Sequence, residues 1–268
     1  MASAPRVVTD VDGPVARVRL NRPGKLNGVD FGILDGLLAS ASQLSANRDL
    51  RVVLLSGEGD SFCAGLDFPA VMKQPRRVAL GFVPNPLRGT NLFQQALWAW
   101  RRLPVPVIAI TRGHVFGAGI QLALAADFRF TTPDAKWSVL EAKWGLVPDM
   151  SGTIPLVEQV PLDLAKRLTM TGEIFSGEQA AAWGLATGCD TDPEKLALDL
   201  ADQLIARSPD SVSGTKRLLN EAARRSVRAQ FALERRLQFH MLRSANAKIA
   251  RKAGTTGEAP AFGPRTLR

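Results

Sequence analysis

The sequence predicts a single α/β domain with a helical C-terminal extension. Short apolar runs rich in β-branched residues alternate with stretches of helical periodicity, and helical periodicity dominates after residue 150. No internal repeat or Ser/Gly-rich linker interrupts the 268 residues. That length buries a substantial core, and 46% hydrophobic with 22% charged residues is the composition of an ordinary globular protein. The core is expected over residues 1–206 and the helical extension over 207–268, together forming one structural unit.

Residues 6–20 read as a hairpin: Val7-Val8, a turn at Asp12-Gly13, then Val15 to Leu20 with apolar and polar residues alternating. After the break at Asn21-Arg22-Pro23-Gly24, Leu34, Leu37, Leu38, Ala41 and Leu44 recur at helical spacing, which predicts an amphipathic helix over 30–46. Val52-Val53-Leu54-Leu55 is apolar throughout, as an internal strand must be. A run of turn formers from Gly57 to Asp67 follows. Lys73 to Thr90 mixes prolines, glycines and arginines with no clear period and reads as a mobile surface segment or lid.

A helix over 91–103 ends before Pro104, and Val105 to Ile110 forms the next strand. Phe128 to Thr131 and Trp137 to Val139 read as short strands around a turn at Pro133-Asp134, and Glu141 to Thr153 as a loop entering a helix. Pro161 opens a helix that stops at Gly172, and Ser176-Gly177-Glu178-Gln179 has capping-box spacing. Further helices are expected at 193–206 with Asp192 as cap, at 209–224 and at 228–250.

No apolar run approaches the ~20 residues of a membrane span, and Met1 to Arg6 lacks the apolar stretch of a signal peptide, so a soluble cytoplasmic protein is expected. Two cysteines, Cys63 and Cys189, and two histidines, His114 and His240, are not spaced as a metal cluster. The thiols read as buried, inert core residues, and no metal site is expected. The net charge of +9 resides in the last part of the chain, where 14 Lys/Arg stand against 4 Asp/Glu from Arg207 onward. Such an excess is either a solvated helix face or a surface that attracts a polyanion.

The stretch Arg112-Gly113-His114-Val115-Phe116-Gly117-Ala118-Gly119-Ile120-Gln121 follows a strand and opens a helix of small residues continuing to Asp127. Glycines there let the backbone approach a ligand, and the first N–H groups of the helix have no intrahelical partner, so the site is suited to negative charge: a phosphate or a reacting oxyanion.

Three stretches then coincide. Ser61-Phe62-Cys63-Ala64-Gly65-Leu66-Asp67 resembles the first oxyanion-hole motif of the enoyl-CoA hydratase/isomerase (crotonase) superfamily, and Gly113 to Asp127 resembles its second. Gly145-Leu146-Val147-Pro148 with Gly152-Thr153 resembles the segment after the family's catalytic acid. Asn21-Arg22-Pro23 and Leu168 to Gly172 are similar to further landmarks, so the likeness covers residues 6–250. It implies a crotonase-like ββα spiral, with C-terminal helices that mediate assembly into homotrimers or hexamers. It also implies an acyl-CoA thioester as substrate, drawn from fatty acid metabolism, and no cofactor beyond the coenzyme A of that substrate. The basic C-terminal stretch would attract the phosphates of coenzyme A.

In such enzymes the enolate oxygen formed by removing a proton alpha to a thioester is held by fixed backbone N–H groups, each typically worth ~3 kcal/mol. The resemblance assigns these donors to Leu66 and Ala118. Alanine stands at the second place where the family usually has glycine, and it is tolerated if that residue is near helical geometry. Of the two glutamates that hydratases of the family use, the second corresponds to Glu141, whereas the first is Gln121, whose amide cannot exchange a proton as a carboxylate does. Asp149 falls where the dienoyl-CoA isomerases carry a second acid; its alternative reading is a helix cap before Ser151-Gly152-Thr153. Gln121 is left to orient substrate or hold a water. Asp67 and Asp127 are read as structural acids, and His114 as a packed or hydrogen-bonded residue. Lys25, Leu26 and Ala64 match the region that meets the adenine and phosphates of coenzyme A, while Leu66, Phe68, Val71, Met72 and Trp144 are candidates for the acyl pocket.

The active-site pattern is closest to the enoyl-CoA and dienoyl-CoA isomerases, because a double-bond shift needs a proton carrier but no activated water. A hydratase working with Glu141 alone is the alternative. A catalytically degenerate acyl-CoA-binding protein is a third reading. The superfamily also has an RNA-binding member that uses a lysine-rich helix, but Ile33 to Asn47 contains no lysine or arginine, so nucleic acid is not an expected partner, nor is a membrane.

Overall fold

A computed structural model describes residues 4–267; Met1 to Ser3 and Arg268, to which the expected segments 1–206 and 207–268 and the reading of the N-terminus extend, lie outside the described residues. Among the described residues nine strands form two sheets: β1 (Val7–Asp12), β2 (Val15–Leu20), β3 (Val52–Gly57), β4 (Val107–Thr111), β5 (His114–Phe116), β6 (Phe128–Thr131), β7 (Lys136–Ser138), β8 (Phe175–Ser176) and β9 (Gly188–Cys189). The larger sheet has the order β1-β2-β3-β4-β6-β9 and the smaller the order β5-β7-β8. The β1–β2 hairpin is antiparallel with Val7 opposite Leu20, and every other pair in the larger sheet is parallel.

The chain lays β4 in one sheet and β5 in the other, inserts a helix, then repeats the move with β6 and β7. This is the crotonase-like ββα architecture with a helical C-terminal extension that the sequence predicts.

Apolar residues cover both faces of the larger sheet, as its uninterrupted apolar strands require. Val53, Leu55, Val107 and Ala109 point into the main core, beneath helices Phe31–Ala46 and Leu92–Arg101. Their neighbours Val52, Leu54, Ile108 and Ile110 point the other way and pack against Ala197 and Ala201 of helix Pro193–Ile205. The helix ends follow local chemistry: Asp30 and Asp192 cap their helices, Asn91 and Ser176 form capping boxes, and Gly172 ends Leu162–Thr171 at φ +62.

Two expectations change. The segment Lys73 to Thr90 contains a helix, Pro75–Gly81, that lacks a clear period in sequence because tertiary contacts hold it. Arg77 pairs with Asp35 at 2.5 Å and lies 4.3 Å from the Phe31 ring, and Phe82 stacks 5.1 Å from Phe93. The helix read over 228–250 is two helices, Val227–Arg243 and Ala245–Thr256, because Ser244 is extended and its hydroxyl caps the second at Ala247. The break lets buried Asn246 donate to Asp210 at 2.8 Å, and Asp210 also accepts the Thr266 and Leu267 N–H groups. The chain end is thereby tied back to the extension.

Lys216 on helix Pro209–Ala222 joins the extension to the core. Its ammonium donates to Asp127 at 2.6 Å and to the Val105 carbonyl at 2.8 Å, while Asp127 also accepts the Val107 N–H at 2.7 Å. Asp127 is a structural acid, as read from the sequence. Burial pulls the Lys216 ammonium below the usual lysine range, with Asp127 opposing that pull. Replacing Lys216 with methionine strands the Asp127 carboxylate, so Lys216→Met is expected to lower unfolding free energy by about 3 kcal/mol, read as an earlier midpoint in denaturant.

Candidate active site

The two glycine-rich loops are joined by main-chain hydrogen bonds. Phe62 N–H donates to the Arg112 carbonyl at 2.9 Å, Cys63 N–H to His114 at 2.9 Å, and Phe116 N–H to Cys63 at 3.0 Å. This parallel pairing bridges Cys63 to Val115. Gly119 must lack a side chain, because a Cβ there would overlap the Cys63 carbonyl. His114 is held by Ser61 Oγ at 2.9 Å and by the edge of the Phe116 ring. Cys63 is fully buried and its thiol is pushed up to about 12 by desolvation, while Cys189 is half-buried, less enclosed than the sequence reading had it.

Leu66 and Ala118 each stand three residues beyond the bridged pair, and both line one cavity of about 380 Å³. Gly65 at φ +99 and Gly117 at φ +50 turn the two chains toward each other in a region closed to ordinary L residues. Gly117 caps helix Ala118–Ala125 without a side-chain bond. Neither the Leu66 N–H nor the Ala118 N–H donates to a partner among the described residues. Ala118 is the first helical residue, so alanine is unstrained there.

Glu141 enters the cavity from a 3-10 turn, Leu140–Trp144, that the sequence reading had as loop. Its Oε1 accepts the Gln121 amide at 2.7 Å, while Oε2 is buried with no partner among the described residues. Burial raises the proton affinity of Glu141, Asp149 raises it further, and the Gln121 donor opposes both. Asp149 also lines the cavity, and burial raises its own pKa. It is not a cap: the helix Thr153–Gln159 begins after Gly152 with no side-chain cap bond. Gln121 does not face the cavity; it is 2% exposed and bonded to protein.

Around the cavity, Leu66, Phe68 and Trp144 line the wall as expected, with the two rings 6.5 Å apart. Val71 instead packs in the main core and Met72 is exposed outside the lining. Leu140, Leu146, Val147 and Met150 take part unannounced, since an apolar residue in an aperiodic loop carries no sequence signal. Ala64 lines the cavity, and its carbonyl accepts nothing among the described residues. Lys25 and Leu26 lie outside the cavity in the turn after Pro23, where the Leu26 carbonyl accepts the Ala64 N–H at 2.9 Å.

Asn27, which sequence reasoning passed over, fixes that turn. It is fully buried at φ +55, donates to Glu58 and Ser61 carbonyls at 2.9 and 2.7 Å, and accepts the Arg22 N–H. No group of three or more His, Cys, Asp or Glu stands together among the described residues, and no described helix is long and apolar enough to cross a membrane.

Residues 10–258 match the family model described as enoyl-CoA hydratase/isomerase. The chain is 31% identical over 211 residues to a carnitinyl-CoA dehydratase of Salmonella paratyphi A, covering 77% of each protein. Among solved structures it is similar to an enoyl-CoA hydratase from Polaromonas sp. JS666, with 27% identity, TM-score 0.85 and coverage of 96% and 99% of the two chains. The enoyl-CoA hydratase from Mycobacterium tuberculosis H37Rv is similar at 29% identity and TM-score 0.86, covering 97% and 99%. A Thermobifida fusca YX protein in complex with acetoacetyl-CoA matches at 29% identity and TM-score 0.78, over 89% and 95%.

A raised carboxyl pKa has a measurable cost. Between the ordinary glutamate value, about 4.3, and the raised value of Glu141, the folded state holds a proton that the unfolded chain has released, so stability falls as pH rises through that window. Glu141→Gln keeps an acceptor for Gln121 and removes the penalty. Its Tm is expected above wild type at neutral pH, with the difference closing as pH falls below the ordinary glutamate value, read by thermal unfolding across pH.

Proposed function

The chain belongs to the enoyl-CoA hydratase/isomerase (crotonase) family, and from that premise we propose that it adds water to a 2-enoyl-CoA and, in reverse, removes water from a 3-hydroxyacyl-CoA. As a family member it is an acyl-CoA-processing enzyme. The observation that carries the proposal is the company of two carboxyl groups of raised proton affinity, Glu141 and Asp149, in the same cavity as two unpaired N–H donors.

In this reading the thioester oxygen lies between the Leu66 and Ala118 N–H groups, which stabilise the enolate without reorganising. Glu141 Oε2 takes a proton from water as its oxygen bonds to C3; the electron pair of the double bond moves to the thioester oxygen, and the proton returns from Glu141 to C2. Asp149 holds the water. A carboxylate whose proton affinity is raised by burial suits a group that must both take and give a proton. The likeness to enoyl-CoA hydratases and a carnitinyl-CoA dehydratase supports this over the double-bond shift favoured by the sequence pattern.

A second reading retains that shift. Gln121 is buried, lies outside the cavity lining and spends its acceptor and one donor on protein groups, which favours chemistry without an activated water. Glu141 would then take a proton from C2 of a 3-enoyl-CoA and return it at C4 through the same enolate. For the rest of the substrate, the free Ala64 carbonyl supports a hydrogen bond from the adenine amine, with Lys25 and Leu26 nearby on the coenzyme A side. Residues 207–268 are assigned to assembly into a homotrimer or hexamer, supported by the exposed Leu219, Phe231, Phe239 and Leu242 on the extension.

Turnover of 2-enoyl, 3-enoyl and dienoyl thioesters of short and long chain by wild type and Glu141→Gln tests both readings. Formation of 3-hydroxyacyl-CoA, lost in the variant, is expected; double-bond migration without hydration favours the second reading, and full activity of Glu141→Gln overturns both. The lining holds Asp67, Glu141 and Asp149 and no lysine or arginine among the described residues. Acyl groups ending in a carboxylate are therefore expected to have kcat/KM lower than their neutral counterparts by on the order of tenfold.

A further inference from the structure

We infer that Gln121 is a positioning residue: its one neutral amide holds the Glu141 carboxylate and the Asp149–Gly152 turn in a single arrangement, using its donor for the first and its acceptor for the second. The inference rests on the proposed role of Glu141. Gln121 Nε2 donates to Glu141 Oε1 at 2.7 Å, and Gln121 Oε1 accepts the Met150 N–H at 3.0 Å and the Gly152 N–H at 2.9 Å.

Those two N–H groups flank Ser151, a non-glycine residue at φ +74. Such a conformation persists only where the surroundings impose it, and here two hydrogen bonds to one buried oxygen do so. The Ser151 hydroxyl, buried without a partner, adds nothing to offset the strain. Contact is close as well as polar, since a Cβ on Gly152 would overlap the Gln121 side chain. Asp149 is the residue that leads into this turn. At the other end of the amide, the bond to Oε1 uses one oxygen of Glu141 and leaves Oε2 for the substrate.

A neutral amide presents a donor and an acceptor at the same tip at every pH, which a carboxyl does only while protonated. A glutamate at 121 would keep the bonds to Met150 and Gly152 but set an oxygen against Glu141 Oε1, so the two carboxyls would have to share one proton. Methionine would fill the volume and supply neither bond. The other charges facing Glu141 across the cavity are Asp149 and Asp67, the latter paired with Arg22 at 2.7 Å, and neither is altered by these substitutions.

The test compares wild type, Gln121→Glu and Gln121→Met by the pH profile of kcat/KM and by hydrogen exchange of the 149–153 backbone. Gln121→Glu is expected to acquire an alkaline limb that wild type lacks, as the shared proton is lost, with activity recovering toward acid pH. Gln121→Met is expected to lose kcat by on the order of a hundredfold with KM little changed, and to exchange faster at 149–153. Wild-type pH profile and exchange in both variants overturn the inference, and so does failure of both to fold, which would make Gln121 a purely structural residue. If Glu141→Gln retains full turnover, the proposed function fails instead, and exchange in Gln121→Met still decides whether the amide holds the turn.

Discussion

The pairing of Phe62 and Cys63 with Arg112, His114 and Phe116 is the constraint on which the rest of the site depends, because it fixes two distant loops to each other through main-chain bonds. The pairing falls where the chain leaves β4 in one sheet and enters β5 in the other, separated by Arg112 and Gly113. Both sheets are anchored in the same apolar core, so neither loop can move without disturbing strands packed on both faces. Hydrogen bonds in such a dry place are stiff, and the stiffness extends to the N–H groups of Leu66 and Ala118 a few residues on.

Sequence and structure agree most closely where the determining contacts are local. The paired faces of β3 and β4, the stop at Gly172 and the capping box at Ser176 follow from residue type and spacing within a few positions. The two motif loops were legible as a pair, and with them Leu66, Ala118 and Glu141 as cavity residues. What escaped was decided at a distance. The break at Ser244 depends on Asn246 reaching Asp210, and helix Pro75–Gly81 depends on Asp35 and Phe31 of another helix. Gln121 reads in sequence as a group that orients substrate or holds a water, because nothing near it reveals that its donor meets Glu141 and its acceptor Met150 and Gly152.

Ion pairs and hydrogen bonds hold several buried charges of the scaffold. Lys216 meets Asp127, Arg101 meets Glu158 at 2.5 Å, and buried Arg129 donates to the Leu185 and Ala126 carbonyls and to Gln159. The cavity holds two N–H groups and a carboxylate oxygen without partners among the described residues, and the strained Ser151 follows its lining residue Met150. Unmet hydrogen-bonding capacity lowers stability, so these three free groups in one cavity fit a site that reserves them for a ligand.

Hydration and double-bond migration share the enolate, and the same two N–H groups serve either one. They part at the carbon that meets the next reactant: water must approach C3 in one case, and Glu141 must reach C4 in the other. The choice therefore depends on where Oε2 points and on whether Asp149 stands close enough to hold a water against C3. Both of those positions are governed by one side chain, since the Gln121 donor sets the Glu141 carboxylate and its acceptor sets the turn behind Asp149. A glutamate in its place would add a second carboxylate, yet it would give up the donor that lets Glu141 stay ionised and oriented. On the proposed reading the neutral amide trades one proton carrier for the fixed placement of two others, Glu141 and Asp149.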